Sequence, residues 1–542
     1  MTAAPTLTAI GQPYDARRAR QLLIIVAGMA LMVTYVETMV LPAFKQFYTF
    51  FQLSGTGAFG TIAWILSAYL LVGTVVVPIF GKLGDLYGKK RMLIIAMGIY
   101  AVAVTLAGFT PNIGDALGMA RSQEIYLLIG ARAVQGIGMG MFPLAFAMIP
   151  EAFPAARVAQ AQGVVSAMFA AGAALGLAGG GWIAQQYGWQ FTYHTVVPLA
   201  ITLVVLGVFL LRESPVHERR PLDLPGVSSL GFGLAMLLVG ITEGADWGWT
   251  NFTAVHFGGI PWGAPEFFLL AVAGFVAFAL WEPRAPSPVI QFEALRPRNI
   301  FVSNVNGILV GLLMFFAFTT VVILAELPIG PGLGVSELTF GLLALPSALS
   351  MLAFGPLLGA AIGRIGPKPV TLLGYGLMAI AGILLVTVHP STIELSAFMV
   401  PLMVGNVAVL IAMSNMIVLS VDRRELGIQT GMNQTFRNLG TAIAPVVTTS
   451  ILASFTAVYY VTVASPGGGP SFSVPTTSYA LEGFQVVFGL VAALSLIGFG
   501  LSLALRNYRF LADGTRHGHG AAAPPTETRP AVPAPPVEAV SE

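Results

Sequence analysis

Three charged side chains stand where charge is costly. Glu37, Arg132 and Arg437 each fall inside a long apolar run, and an ionisable residue within a membrane-spanning segment is a functional candidate by default. A carboxyl that alternates between an arginine and water can load and release a proton, because an opposite charge favours its ionised form and desolvation disfavours it. Glu37 and Arg132 are therefore the candidate proton-coupling pair. Arg437, Asn433 one helical turn before it on the same face, and Gln135 next to Arg132 are candidates to line a central cavity. Other chemistry is poorly provided for. The chain has no cysteine, and its six histidines (His194, His217, His256, His389, His517 and His519) are scattered among loops and tail. An intramembrane transferase would need His, Asp or Ser clustered near an interface. A phosphate-cradling Gly-x4-Gly-Lys-Ser/Thr loop, which ATP-driven pumping requires, does not occur. The expectation is a protein that is not an enzyme, with no metal and no cofactor, driven by the proton gradient.

The elements that must position these residues are membrane helices. Of 542 residues, 56% are hydrophobic and 9% charged, with a mean hydropathy of +0.82. A soluble domain carries about 25% charged residues, so the solvent for most of this chain is lipid. That excludes a soluble enzyme, a disordered chain and a nucleic-acid binder. The 62 Gly and 36 Pro fit, since both are more frequent in membrane helices than in soluble ones. Fourteen runs are long enough to span, near 21–43, 59–81, 92–110, 125–149, 159–184, 192–211, 227–243, 265–281, 300–326, 338–362, 369–388, 394–420, 428–458 and 480–505. Of the 26 Lys and Arg, two lie inside spans, two (Lys45, Arg121) on one side, and the other 22 on the opposite side if fourteen spans alternate. The positive-inside rule then places both termini in the cytoplasm. Removing the short runs 227–243 and 265–281 together preserves the parity, so twelve spans is the competing count. Residues 459–479 read as an uncharged external loop and 507–542, rich in Ala and Pro, as a disordered tail.

Depth supports the pairing. Glu37 lies about 22 Å from the cytoplasmic end of its run and Arg132 about 10 Å from the outer face, at 1.5 Å per residue. In a hydrocarbon core about 30 Å thick these depths coincide. Arg437 lies near mid-membrane by the same rise. Two arginines against one glutamate argue against a dedicated cation site, which would be lined with acids, and favour neutral, anionic or amphipathic substrates. Most of the 35 Phe and 20 Met face lipid or pack helices.

The chain repeats itself. Gly81, Gly88 and Lys90 recur in spacing as Gly359, Gly366 and Lys368, both sets at a cytoplasmic connection. Gly163, Gly172 and Gly176 recur as Gly431, Gly440 and Ala444. The repeat joins spans one to six with nine to fourteen, as in transporters built from two similar halves, and leaves spans seven and eight as an insertion.

These residues resemble the major facilitator superfamily. Gly81-x-Leu83-x-Asp85-x-x-Gly88-Lys89-Lys90-Arg91 is similar to the superfamily's signature loop after the second helix, which implies a cytoplasmic gate: glycines for a tight turn and close approach, Asp85 to cap a helix or accept from a base. The second copy has Gly363 where the acid stands. Leu128-x3-Arg132-x2-Gln135-Gly136-x-Gly138 resembles the pattern associated with proton coupling. Gly163, Gly172, Gly176, Gly180 and Gly181 resemble the antiporter glycine motif, with Leu177 where that motif has Pro. Two extra helices between the halves resemble the fourteen-helix drug:proton antiporter branch, whose first-span acid would correspond to Val33; here the acid is Glu37, one turn later.

The fold implied is all-α and integral to the membrane: a six-helix bundle over 1–211, a linker with two extra helices over 212–298, a second six-helix bundle over 299–506, and a tail over 507–542. The function implied is proton-coupled export of a hydrophobic or amphipathic small molecule across the plasma membrane by a monomer surrounded by lipid. A lipid or metabolite exporter of the same build is the alternative, with a nutrient uniporter or importer behind it.

Overall fold

A computed structural model of the chain describes residues 7–8, 12–53, 58–213, 223–253, 255–257, 260–286, 288, 290, 292–327, 330–387, 391–421, 426–463, 472–510 and 516–518; within helices some side chains, that of Asp85 among them, also lie outside the description. The apolar runs are helices. In chain order the long ones are α1 (Ala16–Met39), α2 (Ala58–Tyr87), α3 (Lys89–Gly108), α4 (Arg121–Ile137), α5 (Met141–Ala152), α6 (Ala155–Tyr187), α7 (Trp189–Leu210), α8 (Leu224–Trp247), α9 (Ala264–Trp281), α10 (Arg298–Glu326), α11 (Glu337–Ile365), α12 (Pro367–Thr387), α13 (Thr392–Ser420), α14 (Leu426–Ser454) and α15 (Leu481–Leu503). A 3-10 turn over Gly138–Gly140 joins α4 to α5. Among the described residues eleven helices are long and apolar enough to cross a membrane, and the short runs 227–243 and 265–281 are two of them, as α8 and α9.

Local chemistry sets where helices start. Asp15 caps α1, its carboxylate accepting from the amides of Arg17 and Arg18. Ser391 and Glu394 form a reciprocal capping box on α13. Outward positions are large and apolar, such as Val102, Phe209 and Leu269, as lipid requires of a helix that satisfies its own backbone.

Packing repeats between the halves. α1 lies against α6 as α10 lies against α14; α3 packs on α4 and α7 as α12 packs on α13 and α15. The halves meet along two further pairs, α2 with α14 and α6 with α11. The inserted helices α8 and α9 pack on each other, and α8 docks against α14 and α2, where Leu230, Leu234 and Phe278 bury themselves with Leu71 and Met432.

One expectation fails. The stretch 459–479 was expected to be loop, but Thr456–Val463 and Phe472–Tyr479 pair as an antiparallel hairpin from Thr456 opposite Tyr479 to Val463 opposite Phe472. Every residue of the first strand except Ala457 is Thr, Val or Tyr, and β-branched and aromatic side chains suit a pleated surface. Tyr459 packs at Gly330 in the connection after α10. Tyr508–Phe510 and Arg516–Gly518 also pair, within the C-terminal stretch.

Candidate functional site

The three intramembrane charges converge. Glu37 projects from the last third of α1 and is half-buried. The charges that act on it are those of Arg437, from α14 in the second half, and Arg132, from α4 in the first. Tyr69 of α2 faces the carboxylate without closing a hydrogen bond. Among the described residues no ion pair within 4.0 Å joins Glu37 to either arginine. The acid is therefore acted on by two cations, one per half, and is ion-paired to neither.

Arg132 is held firmly. It is 0% exposed. Its Nε donates to the Ile65 carbonyl at 2.9 Å and its Nη1 to Gln135 Oε1 at 2.7 Å. Its guanidinium lies 4.4 Å from the centroid of the Tyr69 ring, within cation–π range. Gly136 makes room for this: a Cβ there would press on the Tyr69 carbonyl and stand 3.0 Å from Val72. α4 thereby approaches α2 closely, and the planar fork of an arginine uses both backbone and side-chain acceptors.

Arg437 is half-buried, and its Nη2 donates to Gln434 Oε1 at 2.7 Å. Asn433, expected to share its face, instead turns into α10, where its Nδ2 donates to the Ser303 carbonyl at 2.9 Å. The difference is one of spacing: Gln434 sits three residues before Arg437 and is its neighbour on the helix surface as much as the residue four before.

The glycine pattern of α6 packs α1, the helix that carries Glu37. A Cβ on Gly176 would come 2.5 Å from the Tyr35 carbonyl oxygen, one on Gly180 2.7 Å from Met39 Cα, and one on Gly172 would strike the Leu31 carbonyl. Gly181 faces the second half, where a Cβ would lie 2.5 Å from the Glu337 carbonyl of α11. Nearby, the Leu338 amide donates to Gln185 Oε1 at 3.0 Å, and the Lys45 amide donates to Glu326 Oε2 at 3.4 Å. The carboxyl ends of α6 and α10, with the Leu41–Ala43 turn that follows α1, thus close against the amino end of α11. The surroundings of Gly163 lie outside the described residues.

The signature segment after α2 is nearly all helix. Gly81 and Asp85 lie within α2, and the chain turns at Gly88 alone, with φ of 98°, a conformation that glycine adopts freely. α3 then begins with Lys89, Lys90 and Arg91. Lys89 Nζ pairs with Glu151 Oε1 at 2.5 Å, both side chains nearly covered. The amino terminus of α3 is capped by Glu213, which accepts from the amides of Lys90 at 2.9 Å and Arg91 at 3.2 Å; a carboxylate at that end also complements the helix dipole. Lys90 Nζ donates to the Val208 carbonyl on α7 at 2.8 Å. Arg91 points outward. The second half repeats this with a neutral cap. Gly366 has φ of 86°, the Lys368 amide donates to Asn507 Oδ1 at 3.2 Å, and Lys368 Nζ donates to the Leu503 carbonyl on α15 at 2.8 Å. Glu151, Glu213, Gln434 and Tyr69 are the partners that sequence reasoning missed. Only Glu213 had a local signal, an acid just beyond a helix end.

Among the described residues no group of three or more His, Asp or Glu side chains is placed to hold a metal ion.

A two-halved helical fold with three charged side chains brought together within its long helices is the build of a membrane transporter of the facilitator type. The profile of the Major Facilitator Superfamily matches residues 26–445, and again 307–537, and the chain belongs to that family. It is 28% identical over 388 residues to the multidrug transporter protein MdtP of Bacillus subtilis, covering 71% of this chain and 67% of that one. It is 26% identical to the tetracenomycin C resistance and export protein of Streptomyces glaucescens, covering 72% and 69%. Among solved structures, the partially occluded inward-open xylose transporter XylE from E. coli superposes with a TM-score of 0.59 at 13% identity, covering 90% of this chain and 97% of that one. The human organic anion transporter MFSD10 superposes with 0.51 at 15%, with the same coverage. These two likenesses concern the fold.

Proposed function

We propose that this transporter is a proton-coupled exporter of hydrophobic or amphipathic small molecules, working by alternating access in the plasma membrane. In this reading α2, α6 and α14 also cross the bilayer, which brings the spans to fourteen with both termini cytoplasmic. The observation that carries it is that Glu37 is acted on by the charges of both Arg132 of one half and Arg437 of the other. When the halves rock about their shared interface, the distance from Glu37 to Arg437 changes while Arg132 stays fixed to α2 through Ile65. A carboxyl that loses one of two cationic neighbours holds a proton more readily, so rocking and protonation are linked. Two arginines against one acid make the cavity net positive, which suits neutral, anionic or amphipathic cargo, and the export relatives favour the outward direction. The test is the purified chain in proteoliposomes with an imposed pH gradient, transporting the neutral dye Nile red. Glu37→Gln, close in shape but unable to ionise, abolishes gradient-driven transport while the protein still folds. Gradient-driven transport at the wild-type rate by that variant refutes the proposal.

A further inference from the structure

The first half holds more unanswered polarity than its proposed role uses. Arg132 Nη2, Gln135 Nε2, Trp189 Nε1 and the hydroxyls of Tyr69, Tyr100 and Tyr193 are all buried without a hydrogen-bond partner in the protein. The six side chains are at most 1% exposed. They are also contiguous. Trp189 opens α7 and Tyr193 follows one turn later, their rings 6.1 Å apart. Tyr193 faces Arg132, and Tyr100 faces Arg132, Gln135 and Tyr193. Tyr69 lies under the Arg132 guanidinium and against Glu37. In the second half one equally buried tyrosine is satisfied within the protein: Tyr375 donates to Asn306 Oδ1 at 3.1 Å.

A buried donor left unsatisfied costs about 1–3 kcal/mol, so native interiors satisfy such groups with protein or with ordered water. A water held there needs two to four polar partners, and consecutive members of this ladder supply them.

We infer that the amino-terminal bundle encloses a hydrated chamber, a file of ordered waters running from Trp189 and Tyr193 past Tyr100, Gln135 and Arg132 to Tyr69 and Glu37, and that it is the path by which protons reach Glu37. The proton-path part rests on the proton coupling proposed above; the chamber does not. Each water takes a proton from one neighbour and passes its own to the next. A tyrosine hydroxyl in the file accepts one proton on its oxygen and gives up the one it held. Nothing is oxidised or reduced: the Glu37 carboxyl gains the proton that enters and loses the one that leaves. The groups that face Glu37 at the inner end are Arg437, Arg132, Tyr69 and Tyr100. At the outer end, Phe47, Phe50 and Phe51 cover Trp189 with ring centroids 5.2, 5.5 and 5.5 Å away, an apolar lid that must loosen for protons to enter. The file runs inside one half and joins the cavity between the halves only at its inner end, where Arg437 of the second half acts on Glu37, so protons and cargo approach that carboxyl by different routes.

Radiolytic hydroxyl-radical labelling of the full chain in lipid nanodiscs, read by mass spectrometry, reports water beside buried aromatic rings. Tyr100 and Tyr193 are expected to label on the order of tenfold faster than Tyr375, whose hydroxyl the protein satisfies. Labelling of all three at one slow rate overturns the chamber. The proton role is read from the double variant Tyr100→Phe/Tyr193→Phe in proteoliposomes. Its pH-gradient-driven Nile red transport is expected to fall about tenfold, the waters that remain keeping part of the path, with dye binding unchanged. Wild-type transport by the double variant overturns the proton path. If Glu37→Gln itself transports normally with the gradient, the proton role falls with the coupling proposal, and fast labelling of Tyr100 and Tyr193 still establishes the chamber.

Discussion

Gly176→Ala isolates what the α6 glycines do, because Gly179 on the same helix provides an internal control. A Cβ on Gly179 meets nothing within 4 Å, whereas one on Gly176 would lie 2.5 Å from the Tyr35 carbonyl oxygen and 3.1 Å from the Met39 amide nitrogen, and would overlap the Thr38 hydroxyl. All three neighbours belong to α1. Two are backbone atoms, so no rotamer change relieves the clash. Thr38 is tied in as well, its hydroxyl bonding the Thr34 carbonyl at 2.8 Å on its own helix and the Ala173 carbonyl at 3.3 Å on α6. Relief requires α1 to shift by roughly half an ångström or more, and overpacking of this kind costs about 1–3 kcal/mol. The shift falls beside Glu37, adjacent in sequence to Thr38. Gly176→Ala is therefore expected to lower the midpoint of thermal unfolding in detergent by about 1–3 °C and to slow transport, while Gly179→Ala gains slightly, since alanine favours helix over glycine by about 0.8–1.0 kcal/mol. Both are read by nanoscale differential scanning fluorimetry on the purified protein, with proteoliposome transport alongside. Equal unfolding midpoints for the two variants would refute the reasoning that these glycines exist for the approach of α6 to α1.

Three further outcomes follow from the site. Arg132→Lys keeps the charge but cannot hold the Ile65 carbonyl and Gln135 together, so it is expected to fold and to lose most gradient-driven transport; transport above half of wild type contradicts the positioning role. Glu151→Gln removes the carboxylate to which the covered ammonium of Lys89 donates and is expected to lower stability, with Lys89→Met added to it recovering part of that loss; a double-mutant cycle by chemical denaturation that shows no coupling counts against the pair. Gly88→Ala strains a φ of 98° and drives a Cβ to 2.5–2.7 Å from the Glu213 carboxylate, so it is expected to destabilise by about 1–3 kcal/mol, and more than Gly118→Ala, which has φ of 66° and nothing within 4 Å; equal losses for the two would mean that the cap adds nothing.

The fold was legible where physics leaves a periodic or compositional trace. Apolar runs set the helices, including 227–243 and 265–281, because a backbone in lipid has few alternatives. That Glu37 and Arg132 lie at a similar depth was legible from rise per residue and bilayer thickness, and Arg132 is one of the two cations that act on Glu37; the other, Arg437, was not paired with it by depth. The matched spacing of Gly88 and Lys90 with Gly366 and Lys368 was legible too, and the structure gives it the same hydrogen bonds in both halves. What stayed hidden was rotation about helix axes. Asn433 and Gln434 are adjacent in sequence, and only packing decides which one meets Arg437. Tyr69, Tyr100 and Tyr193 were hidden among aromatic residues that lipid contact explains equally well. Asp85 and Gly81 looked like parts of a loop because glycine and charge usually interrupt helices, but Lys89 and the partners of α3 leave room for α2 to run on to Tyr87. The strand pair Thr456–Val463 and Phe472–Tyr479 was obscured by the Ser-Pro-Gly-Gly-Gly-Pro run between them in sequence, which reads as loop and drew attention from the β-branched and aromatic residues beside it.

Coupling is measured most directly in reverse. With proteoliposomes at equal pH inside and out, a Nile red gradient alone is imposed and internal pH is followed with a trapped pH-sensitive dye. Glu37 as the exchanging carboxyl predicts that wild-type protein moves protons opposite to the dye, that the flux stops when the dye gradient is removed, and that Glu37→Gln moves dye without moving protons. Dye-driven proton flux of wild-type size in Glu37→Gln would contradict the account.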